Sequence, residues 1–308
     1  MRTSVPVPSE ADSRFYILNG QRIPAPRLTP GLHIVATPIG NLGDMTLRAL
    51  ATMAGADRII CEDTRVTARL TQHFGIDASL TAYNDHNAPR VRPQILQDLE
   101  NGGALVLVSD AGTPLISDPG YKLVRAAIAA GIAIHTTPGP CAAIAALAVA
   151  GLPTDRFFFE GFLPPKDGAR ASRLAELKAV PATLVFYETG PRLADSLAAM
   201  ATALGDRAAT VARELTKFHE TVYRGTLVSL ATDFGVADEP RGEIVIVVGP
   251  PVDEPATAED LDGALGAALA SLSVKDAAAS VAARLGLPRR DVYARAVELA
   301  AARRVATP

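Results

Sequence analysis

Residues 106–120 read VLVSDAGTPLISDPG: an apolar strand that runs straight into an acidic loop punctuated by glycine and proline. The apolar run before Ser109 has the unbroken hydrophobicity of a strand buried on both faces, as in a parallel sheet. The switch to Ser109-Asp110-Ala111-Gly112-Thr113-Pro114 places backbone amides and a carboxylate at its C-terminal end, where open α/β sheets bind ligands. Taken alone, the segment also reads as an ordinary βα turn, with glycine supplying unusual φ angles and proline starting a helix. Two prolines and a second Asp-Pro-Gly before any helix make it stiffer than a connection requires.

Two further loops share this character. Ala36-Thr37-Pro38-Ile39-Gly40-Asn41-Leu42-Gly43-Asp44 follows the apolar run LHIVAT and precedes a helix capped by Asp44 or Thr46. It lacks the Gly-x-Gly-x-x-Gly spacing of a dinucleotide fold, which disfavours a nicotinamide-binding domain. Thr136-Thr137-Pro138-Gly139-Pro140-Cys141-Ala142-Ala143 ends another apolar run and opens a helix of small residues, open equally to tight helix packing or close approach of a ligand. Together the three loops describe one pocket.

From Leu32 onward, short apolar runs alternate with helical periodicity, a βαβ succession that predicts a parallel sheet. A boundary is expected at Gly151-Leu152-Pro153-Thr154, after which ATLVFYE, AATVARE and EIVIVV recur at less regular spacing, so the second sheet is expected to be mixed. The expected organisation is a flexible proline-rich extension over 1–30, α/β domains over 31–150 and 151–250, and a helical appendage over 257–305. The chain has 308 residues, 48% of them hydrophobic, 20% charged, with a formal net charge of −3. That balance fits a core-forming, soluble protein and neither implies nor excludes nucleic acid. Cys61 and Cys141 form no disulfide framework or zinc spacing, so a reducing compartment is the default and no metal is expected. The most apolar window, 126–151, is broken by His135 and Pro138-Gly139-Pro140, which excludes a continuous membrane helix there.

The segments VATPIGNLGDMTLRAL, CEDTRVTARL, YNDHN, SDAGTPLISDPG, PGPCAAIAALAVAGLP, FEGFLPPK, FYETGPR, ARELTK and GEIVIVV resemble the tetrapyrrole methylase superfamily, and CEDTR, YNDHN and FLPPK its rRNA-methylating branch. One departure is Thr189-Gly190-Pro191-Arg192, where serine or alanine, then proline and histidine, are expected before the arginine. The resemblance implies a two-domain α/β, tetrapyrrole-methylase-like fold (a class III methyltransferase) that binds S-adenosylmethionine between its domains. It also implies a cytoplasmic homodimer acting on 16S rRNA of the small ribosomal subunit, by 2'-O-methylation of a cytidine at the decoding centre. Matched by motif, the cofactor falls to Pro38, Ile39, Asp110, Gly112, Thr113, Cys141, Ala142, Tyr187 and Ala212.

In-line transfer of a methyl group to a ribose hydroxyl requires alignment above all, helped by a base or a nearby cation. Glu62, Asp63, His86, Glu188, Glu214 and Lys217 are the candidates, with Glu62, His86 and Lys217 the expected catalytic set. Arg65, Lys166, Arg170 and Arg192 are the expected RNA-binding rim. Plainer alternatives stand beside them: Asp63 and Thr64 as helix caps with Arg65 solvated or salt-bridged, His86 and Asn87 fixing a loop, Glu214 and Lys217 in a surface ion pair, Lys166 and Arg170 in a solvated loop. The tail carries Lys275, Arg284, Arg289, Arg290, Arg295, Arg303 and Arg304 beside Asp276, Asp291 and Glu298, which suits either RNA contact or an amphipathic packing helix. A corrin or porphyrin C-methyltransferase and a non-catalytic ribosome-assembly module are the competing functions.

Overall fold

The computed structural model describes residues 14–236, 239–251 and 258–305. Its contacts divide the chain into two compact units, 1–251 and 252–308.

The first unit opens with a two-stranded hairpin, β1 (Phe15–Leu18) and β2 (Gln21–Pro24). This corrects the expectation of a flexible extension over 1–30, of which 1–13 lie outside the described residues. The signal was Asn19-Gly20, whose φ angles of 51° and 76° close a tight hairpin turn. The hairpin is anchored: Tyr16 is 6% exposed in the core, Ile17 N donates to Phe74 O, and Arg14 pairs with Asp57 and bonds Gly55 O.

Next comes a parallel sheet of β3 (Gly31–Val35), β4 (Arg58–Cys61), β5 (Leu80–Ala82), β6 (Ala104–Leu107) and β7 (Ile134–Thr137), in the order β5-β4-β6-β3-β7. Its crossovers are α1 (Leu47–Gly55), α2 (Thr64–His73), α3 (Ala88–Glu100) and α4 (Tyr121–Ala129). Side-chain alternation splits each strand between two cores. Val35, Ile59, Cys61, Val106 and Val108 pack on α1, while Leu32, Ile60, Leu105 and Leu107 pack on α3 and α4. After β3 the chain travels to β4, past β6; after β6 it travels to β7, past β3. Adjacent strands whose connections leave in opposite directions open a crevice at their carboxyl ends. All three predicted loops follow the three adjacent strands β6, β3 and β7.

The helix α5 (Ala142–Ala150) leads to the second sheet: β8 (Phe157–Phe162), β9 (Thr183–Thr189), β10 (Ala208–Arg213), β11 (Thr221–Thr226) and β12 (Glu243–Val248), in the order β11-β10-β12-β9-β8. Only β8 and β9 run parallel, so the sheet is mixed. One face is covered by α6 (Asp167–Leu177), α7 (Leu193–Leu204) and α8 (Leu227–Val236) around Phe186. The other face, through Val185, Ala212, Val245 and Val247, receives Ala143, Ala146, Leu147 and Ala150 of α5 together with Ile39. Small side chains bring this helix close to the sheet, and Ile39 ties the first crevice loop into the same core.

The second unit is three helices, α9 (Ala258–Ala268), α10 (Val274–Leu285) and α11 (Arg289–Val305), around Leu265, Ala278, Val281, Ala282, Val292 and Ala296. Ser273 caps α10 through Asp276 N, and Gly286 at φ 64° ends it. Among the described residues no helix is long and apolar enough to cross a membrane.

The hairpin's role in the core sets an expectation for stability: Tyr16→Ala costs about 3 kcal/mol in urea unfolding, as for a truncated buried aromatic. A change under about 1 kcal/mol, the scale of a surface substitution, returns this segment to a loose extension.

Candidate active site

The three loops are bonded to one another. Thr37 N donates to Gly112 O at 2.9 Å and Gly112 N to Thr37 O at 3.1 Å, a reciprocal pair joining the ends of β3 and β6. Thr37 Oγ1 donates to Ser109 O, and Thr113 Oγ1 to Pro140 O, which brings in the loop after β7. Gly112 sits at φ 80°, and a methyl group there would lie 3.2 Å from Ile39 Cγ2. Leu115 and Ser117 hold φ angles of 74° and 61°, conformations that L-residues keep only where the surroundings enforce them.

These loops and the second sheet wall a cavity. Ile39, Gly112, Thr113, Cys141 and Ala142 line it from the loops, Tyr187, Ala212 and Val245 from the sheet. A second cavity adjoins it at Ile39, Ala111 and Glu243 and is lined by Pro38, Asp110 and Lys217. Every residue matched to the cofactor by motif therefore lies in one of two contiguous cavities. At the start of α5, Cys141 gives no side-chain cap; the Ala143 amide is instead donated to the Tyr187 hydroxyl. Burial first, then the neighbouring Cys141, hold that phenol above its ordinary pKa, so it stays protonated.

The expected catalytic set does not converge. Lys217 Nζ lies 2.8 Å from Glu214 Oε1 and 3.1 Å from Glu243 Oε2. Burial alone would lower its pKa, but the two carboxylates outweigh burial and hold it above the ordinary value. It is a fixed ammonium and no base. Its stem crosses Gly40, where a Cβ would meet it at 2.4 Å, and Glu214, at φ 52°, holds Glu243 N as well as Lys217. Hydrogen bonding to Lys217 keeps the Glu214 carboxyl below its usual range. Glu62 follows β4 directly and lies outside the residues lining either cavity; burial, then the charges of Asp110, Asp85 and Asp63, raise its pKa. His86 is exposed on the turn before α3, where Asn84 and Asn87 bond each other's backbone and fix the loop. Glu188 is 3% exposed and accepts from Thr189 N and Ser196 Oγ.

The expected basic rim also changes. Arg170 is 7% exposed and bonds Asp167, so its guanidinium belongs to the fold of α6 and not to a rim. Arg192 donates to Leu163 O and lies 3.4 Å from Glu188, again as a strut. Arg65 is exposed but clamped on Asp63, which caps α2 and is pulled down to about 2 by that partner. Lys166 alone of the four stands exposed without an ion pair among the described residues, just before α6. In the Thr189-Gly190-Pro191-Arg192 departure, glycine has a local reason: a Cβ on Gly190 would sit 1.6 Å from Pro240 O.

In the second unit, Arg295 is bonded to Asp262 and Glu298 and serves packing. Lys275, Arg289 and Arg290 line a surface groove with Tyr293. The side chains of Arg303 and Arg304 lie outside the described residues.

Sequence reasoning missed Asp118, which lines the first cavity beside Ile116 and Ser117. Burial pushes its carboxyl up to about 6; a hydrogen bond from Ser109 opposes the shift, and the charges of Glu62 and Asp110 add to it. The quoted loop contained it, but nothing in the spacing distinguished it from a turn aspartate. The missed lining from β12, Glu243 to Val245, was visible only as a strand.

Residues 31–231 match the family model of tetrapyrrole (corrin/porphyrin) methylases, and 255–300 that of the RsmI C-terminal helix-turn-helix domain. A ribosomal RNA small subunit methyltransferase I from Mesorhizobium japonicum is 50% identical over 90% of this chain and 95% of its own. Another of that name, from Erythrobacter litoralis, is 52% identical over 88% and 96%. The chain belongs to the ribosomal RNA small subunit methyltransferase I family. Among solved structures, a diphthine synthase aligns with TM-score 0.56 at 14% identity (71% of this chain, 89% of that one). The methyltransferase CobJ aligns with TM-score 0.54 at 20% identity (71% and 94%). These likenesses show the two-domain methylase fold expected from the sequence. S-adenosylmethionine is the cofactor of this methyltransferase family. The cavity fits it: apolar walls of Ile39, Ala212, Leu215 and Val245 suit an adenosine ring, and the Asp110 carboxylate in the adjoining cavity suits a cationic group.

The raised Asp118 carboxyl makes a prediction with a definite sign. A carboxyl whose folded pKa lies above its unfolded value opposes folding once pH passes through the folded value, and not at all below the unfolded one. Asp118→Asn is therefore expected to raise the melting temperature at pH 8, with the gain vanishing toward pH 4. A gain that is equal at both pH values contradicts the buried, ionising carboxylate.

Proposed function

We propose that this chain transfers a methyl group from S-adenosylmethionine to the 2'-hydroxyl of a cytidine ribose in 16S rRNA, at the decoding centre of the small ribosomal subunit. The observation that carries the reading is the pair of adjoining cavities that every motif-matched residue lines, in a chain about half identical to relatives named for small-subunit rRNA methylation. In it, Ile39, Gly112, Thr113, Cys141, Ala142, Tyr187 and Ala212 would hold the donor, with Pro38 and Asp110 at the adjoining rim. The bound cofactor supplies an electrophilic methyl group on a sulfonium. The protein's part is orientation: three bonded loops and a tightly packed sheet fix the walls, and alignment is the largest contribution available to such a displacement.

The acceptor side supports RNA. Lys166 stands exposed before α6, and the groove of Lys275, Arg289, Arg290 and Tyr293 combines cations with an aromatic ring, a surface suited to phosphates and bases. Lys217, fixed as an ammonium at the second cavity, serves as a cation near the acceptor in place of the base expected of it. The exposed Phe157 and Ile144 suit a second copy, in keeping with a homodimer in the cytoplasm.

Three substrates distinguish the functions: labelled S-adenosylmethionine with purified small subunits, with naked rRNA, or with a tetrapyrrole. The expected result is label in small subunits, recovered on digestion as 2'-O-methylcytidine. Label in the tetrapyrrole alone, or in none while the cofactor binds, contradicts it. Gly112→Val, which forces a branched side chain into the left-handed region against Ile39, is expected to weaken cofactor binding by at least about tenfold in calorimetry.

A further inference from the structure

The cavity has three carboxylates in its lining, Asp118, Glu188 and Glu243, with Asp110 in the adjoining one. Three of the four are already engaged. Glu188 is buried with Oε1 accepting from Thr189 N at 2.9 Å and Oε2 from Ser196 Oγ at 2.6 Å. Glu243 Oε2 is paired with Lys217 and its side chain is 74% exposed. Asp110 Oδ1 accepts from Asp63 N at 3.1 Å, which fixes the start of α2. Asp118 has no cation beside it among the described residues; Ser109 Oγ, whose single proton also has Gly112 O within 3.1 Å, is its one hydroxyl partner.

The backbone presents this carboxylate deliberately. Leu115 and Ser117 are both left-handed, and Gly120 at φ 134° ends the loop, so Asp118 is carried on a strained segment and not a relaxed turn. Across the cavity, the β8 bulge at Gly161 comes close: a Cβ there would lie 3.0 Å from Ser117 Oγ. The loop is thus held between β6 and β8, with Phe162, half exposed, in the same lining.

We propose that Asp118 is the catalytic base, which removes the proton from the acceptor ribose hydroxyl; this rests on the ribose-methylation reading above. The Asp118 carboxylate takes the hydroxyl proton as the oxygen bonds to the methyl carbon. The carbon–sulfur bond breaks with its electron pair left on sulfur, giving the methyl ether, a neutral thioether and a protonated Asp118 that returns its proton to water. The titratable groups facing Asp118 are Glu62 at the end of β4, Asp110 on its own loop and the protonated Tyr187 on β9. Burial, and after it the two carboxylates, favour its protonated form, so it works as a base of near-neutral strength, the range in which proton transfer at physiological pH is most effective.

The test uses the full chain, purified small subunits and labelled S-adenosylmethionine, with single-turnover rates from pH 5 to pH 9 and cofactor affinity measured in parallel. Asp118→Asn, isosteric and still able to accept from Ser109, is expected to bind the cofactor within about threefold of wild type while the rate falls at least about 100-fold. It is also expected to lose the wild-type rise in rate through about pH 6. Asp118→Glu, which keeps the carboxylate, is expected to retain that rise at a lower rate. An Asn variant within tenfold of wild type, or one with an unchanged pH rise, overturns the proposal, as does a loss of cofactor affinity that accounts for the loss of rate. Active wild type with an equally active Asn variant refutes the base alone. Wild type that labels no ribose refutes the ribose-methylation reading, and the base with it.

Discussion

The reciprocal backbone pair between Thr37 and Gly112 is the constraint on which the site depends. It is a two-bond piece of antiparallel ladder between loops whose parent strands run parallel, and it requires the positive φ that only glycine holds without strain. With it in place, Ile39 turns into the core shared with the second sheet, and Thr113 reaches Pro140. The first and second sheets then share one wall. The fold contributes adjacent strand ends; this pair converts them into a single pocket.

Electrostatics follow from that closure. A chain of near-neutral net charge hides a sharply acidic interior edge, where burial raises the pKa values of Glu62, Asp110 and Asp118 and the charge of Asp110 adds to the shift at the other two. The adjoining cavity sets the cations Arg69 and Lys217 beside Asp110 and Glu243, and Lys217 is held charged by Glu214 and Glu243. Neither patch shows in the total charge, because each is built from residues distant in sequence.

The sheets were legible because alternation and unbroken apolar runs report burial directly, as in Val106 and Leu107, which face different cores. The three crevice loops were legible because glycine and proline mark backbone geometry at the residue itself. The N-terminal hairpin was obscured by its prolines, though Asn19-Gly20 announced it. Side-chain roles were the least readable: Arg170 and Arg192 look like a basic rim in the sequence, yet one is buried and the other braces Glu188. A cation's availability depends on partners that sequence proximity does not give. Asp118 was hidden for the converse reason, since what distinguishes it is the lack of a cation beside it and a strained loop beneath it.

Amide hydrogen exchange with and without S-adenosylhomocysteine is the most direct test of a pocket held as one unit. Bonded loops predict that ligand slows exchange together over 37–40, 109–118, 139–143 and the start of β12 at 242–245. Protection confined to one of these segments, or found elsewhere in the chain, would contradict a single cradle built from three loops and the second sheet.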